Sequence, residues 1–155
     1  MRKPRYLLWI FLTELVGVLS GFISRDGIDA YASTVAKPSI SPPPIFFPAV
    51  WTILYGLMGI GAARVASAPP GKQRSQALNS FVVQLVVNFF WSLIFFNAQA
   101  FGLAFLWLIL LWVLVILMIV FFYRTDKFAA FLQIPYFLWV SFAAYLSFRV
   151  WQLNS

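Results

Sequence analysis

Few side chains in this sequence can do anything but pack, so their spacing is read first. Gln84, Asn88 and Ser92 recur every fourth residue, which sets two amides and a hydroxyl on one helix face. Asn88 falls near the middle of an apolar run, where an unpaired amide costs several kcal/mol. It must therefore meet either another helix or a ligand, and the pattern weighs the two about equally. A helix–helix hydrogen bond in a membrane is worth only about 1 kcal/mol or less. Trp91 and Phe95 flank the same face. Trp51 and Tyr55 form a second aromatic pair four residues apart. Trp139 lies at the centre of the last apolar run, too deep for the interfacial belt, and its indole N–H needs a partner there. Such groups can pack on one another or line a binding site. Other chemistries are closed. With no histidine and no cysteine, the usual metal ligand, haem ligand, general base and thiolate are all missing. No hydrolytic triad, metal site or resident cofactor is expected. Glu14 stands alone as a carboxyl inside an apolar run, which makes it a functional candidate. A protonated or hydrogen-bonded packing role is the preferred reading.

The elements that position these groups follow from composition. Of 155 residues, 63% are hydrophobic and 10% charged, with a mean hydropathy of +0.89. Soluble domains carry about a quarter charged residues. This is an all-α integral membrane protein, and it reads as a single bundle of five transmembrane helices at residues 6–24, 46–66, 78–96, 103–123 and 128–150. Glu14 and the lack of an A-x-A site argue against a cleaved signal peptide at the first span. Gly17 and Gly21 form a G-x-x-x-G, read at least as readily as internal packing as a dimer seam. Pro135 is expected to kink the fifth helix. Residues 67–77 read as a solvated turn.

Eight Lys and Arg residues (Arg2, Lys3, Arg5, Arg64, Lys72, Arg74, Arg124, Lys127) fall on one side and three (Arg25, Lys37, Arg149) on the other. The positive-inside rule then puts the amino terminus in the cytoplasm. The net charge of +7 is explained by this topology, and nucleic acid is not an expected partner.

Residues 25–45 are too long for a simple connection and suggest a lid. Pro38, Pro42, Pro43 and Pro44 brace its second half, and Pro48 falls in the first turn of the helix that follows. Beneath this lid, Trp51, Trp91, Trp139, Phe142 and Ala143 reach the outer half of the bundle. For Trp107 and Trp112 a plain aromatic belt is the simpler account.

At these residues the chain resembles the translocator protein family, whose bacterial members are called tryptophan-rich sensory proteins. The matching pieces run in family order: Tyr31-Ala-Ser, Lys37-Pro-Ser, Pro42-Pro43, Pro48-Ala-Val-Trp51, Leu54-Tyr55, Met58-Gly59, Asn88-x-x-Trp91, Ile94-Phe-Phe96 and Pro135-Tyr136-x-x-Trp139 with Phe142-Ala143. The resemblance implies a five-helix bundle, usually a homodimer in membrane lipid, with a pocket open toward the lid. Family ligands include porphyrins such as protoporphyrin IX and haem, together with sterols and synthetic drugs. The implied ligand-binding set is Tyr31, Pro43, Phe47, Trp51, Tyr55, Asn88, Trp91, Trp139, Phe142 and Ala143. The function implied is a porphyrin receptor or sensor, with light-dependent porphyrin degradation or transport as alternatives. Two departures stand out. Ile40 replaces a frequent tryptophan, and Leu146-Ser-Phe-Arg-Val-Trp-Gln152 lacks the tyrosines and arginine of the family's sterol-associated run.

Overall fold

The computed structural model describes residues 3–43 and 46–155. Pro44, part of the expected brace, lies outside them. Every long apolar run has become a helix, because a backbone in hydrocarbon must satisfy its polar groups within its own segment. Among the described residues, five helical spans are long and apolar enough to cross a bilayer: Tyr6–Ile23, Phe46–Ala66, Lys72–Asn97, Phe101–Thr125 and Lys127–Leu153.

The first span is α1 (Tyr6–Ile23), which turns almost at once into α2 (Arg25–Thr34). Residues 25–34 are therefore helical, not a loop. Burial of Ser24, with its carbonyl accepting from Ile28 N–H at 2.8 Å, keeps the chain winding through the junction. The second span is α3 (Phe46–Ala66). The third is α4 (Lys72–Ser92), which runs on through a wider π-helical turn at Leu93–Asn97. It starts six residues before the expected boundary, so the intervening turn is shorter than residues 67–77. Arg74 explains part of this: its guanidinium donates back to the Ala66 and Ala68 carbonyls at 3.3 and 3.2 Å, capping α3. The fourth span is α5 (Phe101–Thr125). The fifth is split into α6 (Lys127–Phe131) and α7 (Ile134–Leu153). Pro135 does not kink a continuous helix. It sits in the first turn of α7, after the break at Leu132 and Gln133. There its missing N–H leaves no carbonyl unpaired.

Helix α1 packs on α3, α4 on α5, and α5 on α7, with α2 laid against the π turn. Gly59 and Gly17 permit the first contact. A Cβ on Gly59 would come within 2.6 Å of the Ile10 backbone, and one on Gly17 within 2.6 Å of the Tyr55 ring. Gly21 faces open space. The G-x-x-x-G is thus an internal packing surface at its first glycine alone. Polar residues fasten α1 to its neighbours: Thr13 Oγ1 donates to the Tyr55 carbonyl at 2.7 Å, and the Ser20 and Ser92 hydroxyls meet at 2.9 Å. Leu7, Phe11, Leu15, Val18 and Phe22 remain exposed on the far side, as a lipid-facing stripe would.

At the basic end of the bundle Arg64 meets the Asp126 carboxylate at 3.2 Å, and Asp126 also accepts from the Ala129 N–H at 2.9 Å to cap α6. At the opposite end Lys37 donates to the Tyr31 and Val35 carbonyls at 2.8 and 2.7 Å, closing α2. Its ammonium lies 4.7 Å from the Tyr31 ring centroid. Asn154, just past α7, clasps Ala36 with two hydrogen bonds of 2.8 and 3.1 Å. That clasp ties the lid to the carboxyl end of the bundle.

Candidate functional site

Beneath α2 the bundle is walled by aromatic rings. Helix α3 contributes Phe47 and Trp51; α4 and its π turn contribute Trp91, Phe95 and Phe96. Helix α7 adds Trp139, Ala143, Leu146 and Ser147, and Tyr31 closes the top from α2. The rings touch one another. Trp51 and Trp139 meet edge to face with centroids 6.5 Å apart, Phe47 and Trp139 at 5.9 Å, and Trp91 stacks on Phe95 at 5.0 Å. Tyr31 leans on Phe95 and Phe96 at 5.2 and 5.3 Å. As a result the enclosed space is only about 10 Å³, which is about the room one water needs. Drug-sized pockets run to about 300–1,000 Å³. The cavity is therefore in a closed form, and a large ring system enters only if these side chains turn.

Local structure explains why so many rings converge. In the π turn the Ala98 N–H reaches the Leu93 carbonyl, five residues back, at 2.9 Å. One extra residue per turn swings Phe95 and Phe96 together toward α2, a widening often found at functional positions. Helix α2 comes close because Gly27 has no side chain: a Cβ there would lie 2.6 Å from the Phe96 backbone. On α7, Trp139, Ala143 and Leu146–Ser147 follow at one-turn intervals, so a single face of the helix meets the cavity. Burial in this setting pushes the Tyr31 hydroxyl up to about 12.

Below the rings lies a separate polar layer. Asn88 Oδ1 accepts from the Tyr55 hydroxyl at 2.7 Å, and Asn88 Nδ2 donates to the Tyr136 hydroxyl at 2.8 Å. Tyr136 in turn donates to Gln84 Oε1 at 2.7 Å. Tyr55, Gln84, Asn88 and Tyr136 are all buried. Both ends of the Asn88 side chain are engaged by α3 and α7. Of the ten candidate ligand residues, six line the cavity: Tyr31, Phe47, Trp51, Trp91, Trp139 and Ala143. Asn88 and Tyr55 do not. They hold three helices together one turn deeper. Pro43 is exposed and also lies off the cavity. Phe142 faces a different depression, lined with Val50, Ile53, Leu54, Pro135, Leu138 and Trp139. Glu14 is half-buried beside Gly56 and touches neither.

The tryptophans divide by their indole N–H groups. Trp107 donates to the Val87 carbonyl at 2.7 Å and Trp112 to the Ser141 hydroxyl at 2.9 Å. Trp91 Nε1 and Trp139 Nε1 are buried and have no partner among the described residues. Unpaired buried donors are uncommon in folded proteins, and both of these belong to cavity residues.

The ligand set expected from sequence omits Phe95, Phe96, Leu146 and Ser147, all of which line the cavity. Phe95 continues the four-residue spacing from Trp91, whereas Phe96 joins it through the π turn, which nothing in the residue types announces. The last two were within reach, since they continue the Trp139–Ala143 spacing.

Known proteins are similar to this chain in sequence along most of its length. The family model described as "TspO/MBR family" matches residues 9–152. A tryptophan-rich protein TspO from Chlorobaculum tepidum is 40% identical over 148 residues, 95% of this chain and 94% of that one. Protein CrtK from Rhodobacter capsulatus is 38% identical over 126 residues, 81% of this chain and 79% of the relative. The human translocator protein is 33% identical over 137 residues, 87% of this chain and 80% of its own length. The matches run across the rings, the polar layer and the lid alike, and on them the chain belongs to the TspO/MBR family of membrane proteins.

Proposed function

We propose that this protein is a membrane receptor or sensor for flat, porphyrin-like ligands, held among the rings beneath α2. The observation that carries the reading is the pair of indole N–H groups, Trp91 and Trp139, that have no partner among the described residues and stand in the walls of one aromatic cavity. A macrocycle with carboxylate or carbonyl edges would supply their acceptors while its faces stack on Trp51, Phe95 and Tyr31. Aromatic pairs are worth about 0.5–1.5 kcal/mol each. Ring-on-ring packing given up when the cavity opens is thus replaced in kind by packing on the ligand. The described lining has no histidine, cysteine or methionine, so free-base protoporphyrin IX and haem are expected to bind with similar strength unless the Tyr31 phenol takes the iron.

The orientation that goes with this reading has the amino terminus and the Arg64–Asp126 end in the cytoplasm of a bacterial-type cell membrane. Residues 25–43 face the other side, and the functional unit is a homodimer. A second reading is light-dependent porphyrin breakdown, favoured by Trp51, Trp91 and Trp139 all edging the same space. It needs only an excited ring, dioxygen and a nearby indole.

Titration of protoporphyrin IX into purified protein, followed by tryptophan quenching, tests the binding reading. Saturable quenching that weakens in Trp91→Phe and Trp139→Phe but not in Trp107→Phe supports it. Equal behaviour of all three variants would remove its basis. Illumination of the complex in air, with a bleaching product missing from the Trp51→Phe Trp139→Phe double variant, separates the second reading from the first.

A further inference from the structure

Helices α3 and α7 flank the ring-lined space without close backbone packing on each other. Side chains close the seam between them: Trp51 against Tyr136 at 6.2 Å and against Trp139 at 6.5 Å, and Phe47 against Trp139 at 5.9 Å. On the outside of this seam is a groove of about 380 Å³. Val50, Ile53 and Leu54 of α3 form one bank, and Pro135, Leu138 and Phe142 of α7 form the other. Ile53 and Leu138 are 63% and 61% exposed, so the groove opens outward from two helices long and apolar enough to cross a bilayer, on a face that lipid would cover. Trp139 lines both the groove and the closed cavity. Among the described residues its indole is the one wall the two spaces share, and its N–H is held by nothing there.

The lid side is constructed in the opposite way. Tyr31 is buried against Phe95 and Phe96, Gly27 lets α2 sit on the backbone of the π turn, and Asn154 clasps Ala36. Opening that side breaks hydrogen bonds and backbone contacts. Opening the seam turns a few rings.

We propose that the seam between α3 and α7 is a lateral portal, through which a flat apolar ligand dissolved in the bilayer reaches the cavity by displacing the Trp139 indole. This rests on the binding reading above and adds its route. The occupant of the groove is the ligand's leading edge. Its apolar banks suit a macrocycle or similar fused ring that partitions into lipid, and they offer no charged side chain to a water-soluble one.

The chain has no cysteine, so introduced pairs can be stapled cleanly. Ile53→Cys with Leu138→Cys, joined by a flexible bis-maleimide, bars the seam. Ala36→Cys with Asn154→Cys bars the lid. Stopped-flow quenching by protoporphyrin IX in proteoliposomes then reads the association rate. The expected result is a fall of about tenfold or more for the seam staple, with the lid staple within about threefold of the unstapled protein, the usual span for one interface being about 1–3 decades. A seam staple that leaves the rate unchanged, or a lid staple that slows it as much, overturns the portal. Single substitutions at the lipid-facing positions give the same answer if a stapled protein misfolds. Ile53→Phe should slow association and Leu138→Ala should speed it, and no change in either contradicts the route. If the unmodified protein shows no saturable quenching, the binding reading fails and the portal with it. If the protein quenches but the staples behave in reverse, only the portal fails.

Discussion

Replacing Asn88 by leucine separates a helix-joining role from a ligand-contacting one. The substitution keeps much of the volume and deletes two hydrogen bonds, from Tyr55 at 2.7 Å and to Tyr136 at 2.8 Å. Interhelical hydrogen bonds in membranes average about 0.6 kcal/mol and reach about 1.7 kcal/mol. The Tyr136 hydroxyl keeps its bond to Gln84. The Tyr55 hydroxyl, on a residue only 5% exposed, is left with no acceptor, at about 1–3 kcal/mol. The total is a loss of about 2–4 kcal/mol. Unfolding from mixed micelles with increasing SDS, followed by circular dichroism, measures it. Protoporphyrin affinity of the folded fraction should stay within about threefold, since about 0.7 kcal/mol corresponds to that factor. Full stability together with a tenfold or greater loss of affinity would refute this assignment, because the amide would then be facing the ligand.

Three further outcomes follow from the packing and the lid. Gly17→Ala pushes a methyl into the Tyr55 ring and should cost about 1–3 kcal/mol, whereas Gly21→Ala meets open space and should be neutral; the same SDS titration compares them. Asn154→Ala removes both hydrogen bonds to Ala36, so hydrogen exchange across residues 35–37 should quicken with little change in global stability. Burial raises the Tyr31 hydroxyl from 10.0 to about 12. The unfolded chain loses this proton first, so the stability from burying neutral Tyr31 is complete below pH 10 and drains away as pH rises toward 12. Tyr31→Phe should flatten that part of the profile of unfolding against pH, and an unchanged slope would count against burial as the cause.

The five spans were legible because a bilayer asks one simple thing of a sequence, an apolar run long enough to cross it. Trp51, Trp91, Trp139 and Ala143 were legible as neighbours because helical spacing and depth arithmetic place them at one level. Asn88 was ambiguous for a physical reason: an amide in hydrocarbon needs a partner, and spacing within its own helix cannot say whose. Tyr136 supplied that partner, from a helix whose start is set by Pro135 and by the break before it. The ten-residue α2 was hidden because its signals are weak ones, a buried Ser24 and a Gly27 whose purpose shows only against Phe96. Phe96 joins Phe95 at the cavity only through a backbone widening, which no side-chain pattern encodes.

The central claim is the proposed one, that Trp91 and Trp139, whose indole N–H groups have no partner among the described residues, offer them to a bound ligand, while Trp107 and Trp112 are satisfied within the bundle. Protein labelled with ¹⁵N at the tryptophan indoles, with each resonance assigned by single Trp→Phe variants, reads these four groups directly. Titration with protoporphyrin IX should displace the Trp91 and Trp139 indole signals downfield as their protons gain acceptors, beyond any general ring-current change, and should leave Trp107 and Trp112 nearly in place. Equal movement of all four, or movement of Trp107 and Trp112 alone, would contradict the claim.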